Sequence, residues 1–235
     1  METNDKIVVI HQPDFMPYLG YFDRLVHADT LVVLETVQYC KAWMSRDKIK
    51  TDTGEMWFKI PVKKAPVSTA IKDIEIVEDQ KWKTHHLGLF RQYYNKAPYF
   101  KEILPYLEEL YARDDKLFWN FSFASIQMLM NLFDVHPEII FASDLQPEGR
   151  NNAMNVDIMK KVGAHKYLSG TGAVDYYDET LYKEAGIEVI WQDFKHPEYP
   201  QQYPELGFIP YLSSLDLLFN CGIEASRKIL RGEPV

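Results

Sequence analysis

Four consecutive apolar residues, Ile7-Val8-Val9-Ile10, stop abruptly at His11-Gln12-Pro13-Asp14. A strand with one face in water alternates apolar and polar residues. An unbroken run of this length therefore marks a strand covered on both faces, as in a parallel sheet. Parallel strands need crossover connections, usually helices, and the next residues supply one. Pro17 fits a first helical turn, and Leu19, Phe22, Leu25 and Val26 recur at helical spacing. Leu31 to Leu34 is a second apolar run, so residues 7 to 34 read as a βαβ unit.

The C-terminal part repeats this alternation. Glu138 to Phe141 reads as a short strand, and Val156, Met159 and Val162 mark a helix ending near Gly163. His165 to Leu168 is a strand, Asp178 caps a helix that ends at Gly186, and Ile187 to Trp191 is a further strand. The middle of the chain differs. Asp52-Thr53-Gly54 reads as a hairpin turn, and Ile71, Ile74 and Ile76 predict another short, partly exposed strand. From Gln80 to Phe133 the pattern is helical, with Trp82, His86, Leu89, Phe90 and Tyr93 on one face. Pro98 restarts the chain there, and Pro105 is expected to kink or divide the following helix. The fold class expected is α/β: a mainly parallel sheet flanked by helices, with a helical insertion at about 80–133 and a small antiparallel hairpin. Residues 1–235 are expected to form a single domain, with 80–133 an insertion or cap.

Composition narrows the function classes. A chain of 235 residues with 46% apolar and 26% charged residues is globular. It should bury roughly 70% of its extended surface without needing a metal or disulfide. The acidic start METNDK runs straight into the first strand, so no secretory signal is expected. Leu117 to Phe133, broken by Asn120, Ser122, Ser125, Gln127 and Asn131, is shorter than the ~20 residues of a membrane span and reads as a buried helix. Two widely spaced cysteines, Cys40 and Cys221, suit a reducing cytoplasm, the expected location. A net charge of -8 argues against non-specific nucleic-acid binding, though not against a nucleotide. Aromatic residues are abundant, at 14%, and suit both core packing and the stacking of flat or sugar-like ligands.

Open parallel sheets bind ligands beyond the carboxyl ends of their strands. The residues there are His11-Gln12-Pro13-Asp14, Glu35 to Gln38, Ser169-Gly170-Thr171-Gly172, and Gln192-Asp193 with His196. His11 is the strongest single candidate, as a general base or as a donor to phosphate; the plainer alternative is a turn-stabilising histidine. Ser169-Gly170 can present backbone N–H groups to an anion, or be a flexible strand-to-helix turn; it lacks a Walker lysine and is not GxGxxG. Lys41, Arg46, Lys48 and Lys50 make a local basic patch able to hold a diphosphate, with Trp43 beside it to stack; a solvated hairpin face is the alternative. His85 and His86 are adjacent on a helix, about 100° apart, so no metal site is assigned. Ser169 and Ser213 lack a G-x-S-x-G context, and Cys40 has no base at a recognisable spacing.

The run from His11 to Asp23, His-Gln-Pro-Asp-Phe-Met-Pro-Tyr-Leu-Gly-Tyr-Phe-Asp, closely resembles the opening signature of the WbqC-like protein family. The similarity continues through Gln38, Trp43, Arg46, Ile49-Lys50, Trp57 and Pro61-Val62. It returns at Tyr167-Leu168-Ser169-Gly170, at His196-Pro197-Glu198-Tyr199-Pro200-Gln201, and at Ser213, Asp216 and Leu217 to Asn220. Asp14 and Ser45 stand where the family more often has asparagine. The strand, Pro-containing turn and Leu-Gly-Tyr helix start also resemble, more faintly, adenine-nucleotide-binding nucleotidyltransferases; Tyr21 stands where their second histidine would fall.

The WbqC-like resemblance implies a role in bacterial surface-polysaccharide (O-antigen) clusters, modifying a sugar precursor. The expected protein is a transferase acting on a nucleotide-linked amino sugar, with acyl-type transfer the concrete form. A non-catalytic nucleotide- or sugar-binding subunit is the alternative. His11 and Asp14 are the expected catalytic residues. Gln12, Tyr21, Asp23, Gln38, Trp43, Arg46, Lys48, Ser169, Gly170, His196, Tyr199 and Gln201 are expected to bind substrate. The expected partners are a nucleotide-sugar and an acyl donor, without nucleic acid or membrane insertion; no cofactor is assigned, and oligomerisation stays open.

Overall fold

The computed structural model describes residues 6–234, so most of the acidic start read above for a signal lies outside the described residues. The N-terminal elements are β1 (Ile7–His11), α1 (Leu19–Val26), β2 (Thr30–Val33), β3 (Arg46–Thr51) and β4 (Gly54–Lys59). Three helices follow: α2 (Lys81–Tyr94), α3 (Phe100–Ala112) and α4 (Phe118–Phe133). Then come β5 (Glu138–Phe141), α5 (Ala142–Leu145), α6 (Asn152–Lys161), β6 (Lys166–Ser169), α7 (Glu179–Glu184), β7 (Glu188–Trp191) and α8 (Leu215–Leu230). The fold is α/β, a parallel sheet flanked by helices plus a small antiparallel one. The described chain divides into two compact units.

The first unit comprises the chain up to Gln12, Phe22–Thr36 and His136–Lys195. Its five strands are all parallel, in the order β5-β2-β1-β6-β7. The continuous apolar runs are explained by burial on both faces: Val8 and Val9 of β1 and every residue of β2 are buried. Local punctuation agrees with the sequence. The Asp178 carboxylate accepts the Thr180 and Leu181 N–H groups to start α7, and Gly163 and Gly186 take the left-handed backbone that stops α6 and α7.

The second unit comprises Pro13–Tyr21, Val37–Val135 and the chain from His196 onward. It holds the β3–β4 hairpin, helices α2 to α4, and α8. Much of the aromatic content is spent on its core. Phe15 meets Phe58 at 5.3 Å, Trp82 meets Phe121 at 5.1 Å, and Tyr94 stacks on Phe219 at 4.6 Å between centroids. Four local expectations change. Ile71, Ile74 and Ile76 are buried rather than partly exposed, and in place of a strand they form a 3-10 turn (Ile71–Asp73) followed by isolated bridges. Tyr94, not Tyr93, completes the buried face of α2. Pro105 does not divide α3: it is exposed, and so is Lys101, whose carbonyl loses the helical bond and can be hydrated instead. Pro17 precedes α1, and its carbonyl accepts from the Ser214 N–H and hydroxyl.

Candidate functional site

In the first unit the chain builds outward from β1 to β2 and β5, then returns to the opposite side of β1 to add β6 and β7. The β1–β6 boundary is therefore a topological switch point, where neighbouring connections leave in opposite directions and open a crevice at the carboxyl ends. His11 is the last residue of β1, and Ser169 is the last of β6, followed by Gly170.

The His11 Nδ1 lies 3.0 Å from the Gln12 carbonyl. A carbonyl only accepts, so Nδ1 carries the proton and Nε2 keeps its lone pair. Burial, reinforced by the Arg24 charge, pushes the His11 pKa down to about 3, so the ring is neutral at physiological pH. Arg24, on α1, is 6% exposed. A Cβ on Gly170 would lie 2.9 Å from Arg24 Nη1, so the guanidinium occupies space that only glycine leaves open. The Tyr167 phenol belongs to the same group: burial raises its pKa, while the Ser169 hydrogen bond and the Arg24 charge act in the other direction. The Ser169 Oγ lies 3.4 Å from both the Tyr167 hydroxyl and the Gly170 carbonyl, two long contacts that share its single proton. Gln192, just beyond β7, donates through Nε2 to Asp23 Oδ2 at 2.6 Å and ties that strand exit to α1. The β2 exit is different. The buried Glu35 carboxylate accepts from the Ala142 and Ser143 N–H groups at 3.2 and 2.9 Å, capping α5.

His11, Gln12, Asp23, Ser169 and Gly170 thus belong to one unit, together with Arg24, Tyr167 and Gln192. Arg24 was missed by sequence reasoning; its signal was faint, a single cation in a helix otherwise rich in Leu and Phe. The other expected site residues lie in the second unit. There Asp14 acts on Asp47, whose carboxyl is pushed well up by burial and by the Asp14 charge, although the Lys48 N–H donates to it at 2.6 Å. Gln38 forms an isolated bridge with Ala70, Tyr21 is buried, and Trp43 is exposed. Arg46 and Lys48 lie over the Trp57 ring, with Arg46 Cζ at 4.2 Å and Lys48 Nζ at 5.5 Å from its centroid.

Lys50 leaves the anticipated basic patch: it is fully buried, and its Nζ donates to the Gly207 carbonyl at 2.6 Å and Gln201 Oε1 at 3.2 Å. Gln201 is saturated within the protein. Its oxygen also accepts the Ile209 N–H, and its amide nitrogen donates to the Ile209 carbonyl and to Asp216. Asp216, buried, accepts the Tyr94 hydroxyl at 2.7 Å and is further hydrogen-bonded by Tyr199. His196 packs against Tyr211 and Phe208 at 5.3 and 5.6 Å.

The pattern of the WbqC-like protein family matches residues 12–228. The chain belongs to the WbqC-like protein family. A relative of this WbqC-like protein, an uncharacterized protein of Mycobacterium tuberculosis, is 29% identical over 226 residues, covering 94% of this chain and 96% of the relative. No solved structure matches. In this WbqC-like chain no described helix is long and apolar enough to cross a membrane. Among the described residues, no group of three His, Cys, Asp or Glu is placed to hold a metal ion.

Proposed function

We propose that this WbqC-like protein is a transferase that modifies a nucleotide-linked amino sugar for a bacterial surface polysaccharide, by an acyl-type transfer, and that the nucleotide-sugar's phosphate binds at the switch point of the first unit. The observation that supports this reading is the meeting of His11, Ser169, Gly170 and a buried Arg24 guanidinium at the β1–β6 strand ends. A guanidinium presents a planar fork of donors matched to phosphate oxygens, and the Ser169 hydroxyl adds a donor beside it. His11, with Nε2 as the basic nitrogen of this tautomer, accepts the proton released as the sugar's amine forms a bond to the acyl carbon of an acyl-CoA donor and the C–S bond breaks, and passes it to the departing thiolate. Anion binding tunes this base. A phosphate on Arg24 offsets the charge that helps depress the His11 pKa, so the imidazole gains proton affinity once substrate is bound.

A second reading is a nucleotide- or sugar-binding subunit without chemistry of its own. It is favoured by the same His11 pKa of about 3, which makes the unliganded ring a weak base. Thermal shifts with nucleotides, nucleotide-sugars, acyl-CoA species and monosaccharides separate the two. Ligand at 100-fold excess over Kd stabilises by about 2.7 kcal/mol. A nucleotide-sugar should protect the wild type and His11→Ala but not Arg24→Ala. Mass spectrometry should then find product with the wild type and none with His11→Ala. Binding without product from any donor supports the second reading, and no response from any ligand class refutes both.

A further inference from the structure

The β3–β4 hairpin of the second unit carries an outward face that its own contacts do not explain. Antiparallel register sets Arg46 directly opposite Lys59 and Lys48 opposite Trp57. Like charges placed directly across two strands weaken a hairpin. Lys48 has an answer, the Glu55 carboxylate at 2.6 Å. Among the described residues Arg46 and Lys59 have none, and Arg46 Nε is buried without a hydrogen-bond acceptor. The guanidinium is held instead by the Trp57 ring, 4.2 Å from its centroid, a stack that orients the fork without neutralising it. Trp57 itself is 48% exposed and Trp43, three residues before Arg46, is 55% exposed. Unneutralised cations next to a partly exposed indole, in a chain of net charge -8, call for an anion with an apolar face.

We propose that this hairpin face docks an acidic saccharide, a pyranose ring carrying a carboxylate. The ring's C–H face, weakly positive, lies on the negative face of an exposed indole. Its carboxylate takes the Arg46 fork, with Lys59 as the second charge. Nucleic acid fits less well: one phosphate per nucleotide needs a long basic stripe, whereas here two unpaired cations sit on an acidic protein. A neutral sugar would leave both cations unanswered. This surface is argued independently of the switch-point site and is testable without any nucleotide.

The test is saturation-transfer NMR and tryptophan fluorescence on the full chain with trigalacturonic acid, maltotriose and a short single-stranded oligothymidine. Trigalacturonic acid is expected to bind, to weaken as salt rises, and to lose about tenfold or more in affinity in Trp57→Ala and in Arg46→Ala. Arg46→Lys should recover only part of that loss, because the ammonium keeps the charge but not the fork. Both side chains are partly exposed, so melting temperatures near wild type will show that the variants are folded. Absence of trigalacturonate binding overturns the proposal, as does binding that Trp57→Ala leaves unchanged. Equal binding of maltotriose, or binding of the oligothymidine alone, also overturns it, in favour of a neutral-sugar or a nucleic-acid surface respectively.

Discussion

A methyl group on Gly170 would meet Arg24 Nη1 at 2.9 Å. The obstacle is the tip of a flexible side chain, so Gly170→Ala should fold with a stability within about 1 kcal/mol of wild type. The guanidinium has to move, however, and nucleotide-sugar affinity should fall; paired melting curves and ligand titrations check both halves. His86 tests a different property. It is buried in the second unit, its Nδ1 2.9 Å from the Tyr111 hydroxyl, and burial pushes its pKa down to about 3. Below its ordinary value of 6.5 the unfolded chain takes up a proton that the folded chain refuses. Its contribution is therefore complete above about pH 6.5 and declines toward pH 3, by up to about 1.4 kcal/mol per pH unit. The stability advantage of wild type over His86→Gln should narrow as pH falls through that window, measured by denaturant melts at each pH. At this scale the sequence was informative wherever chain position alone decides exposure. His11, Ser169 and Gly170 follow apolar runs, so their place at strand ends could be read. Arg24 could not, because its burial depends on a glycine far along the chain that leaves room for it.

Helix α8 shows what a single backbone angle does to an element. Gly222 interrupts it at φ 75°, ψ 174°, and a Cβ there would lie 2.5 Å from the Tyr99 ring. Both the left-handed backbone and the ring contact exclude a larger residue. Gly222→Ala should cost about 2–4 kcal/mol, whereas Gly88→Ala in α2, where a Cβ meets nothing within 4 Å, should be neutral or slightly stabilising. Urea melts of the two variants provide the comparison. Elements buried on both faces were legible because burial leaves an unbroken apolar run, as in β2, whose residues are all buried; the half-buried edge strand β5 also falls on the residues expected for it. Ile71, Ile74 and Ile76 misled because three separated isoleucines satisfy more than one period. A 3-10 turn at Ile71–Asp73 followed by isolated bridges buries all three without a strand. Pro105 misled because the cost of a missing N–H depends on whether water can reach the abandoned carbonyl, which no local pattern records.

Across the whole molecule, alternating strands and helices announced a parallel sheet, yet nothing in the sequence marked where the chain passes between its two units. The passages fall after Gln12, Tyr21, Thr36, Val135 and Lys195, and the second lies inside α1. None is a Gly- or Ser-rich linker, because the divisions are set by contacts between distant segments. The placement of His11 in one unit and Asp14 in the other was hidden for the same reason. Strand order adds a consequence in time. β1 receives β2 on one side almost as soon as both are synthesised, but its other neighbour, β6, begins only at Lys166. At about 5–20 residues per second, a ribosome leaves that edge of the central strand without its partner for on the order of ten seconds. The crevice that will hold His11 and Ser169 is, over that interval, an open apolar strand edge, and the nascent chain is then most exposed to mispairing and most in need of a chaperone.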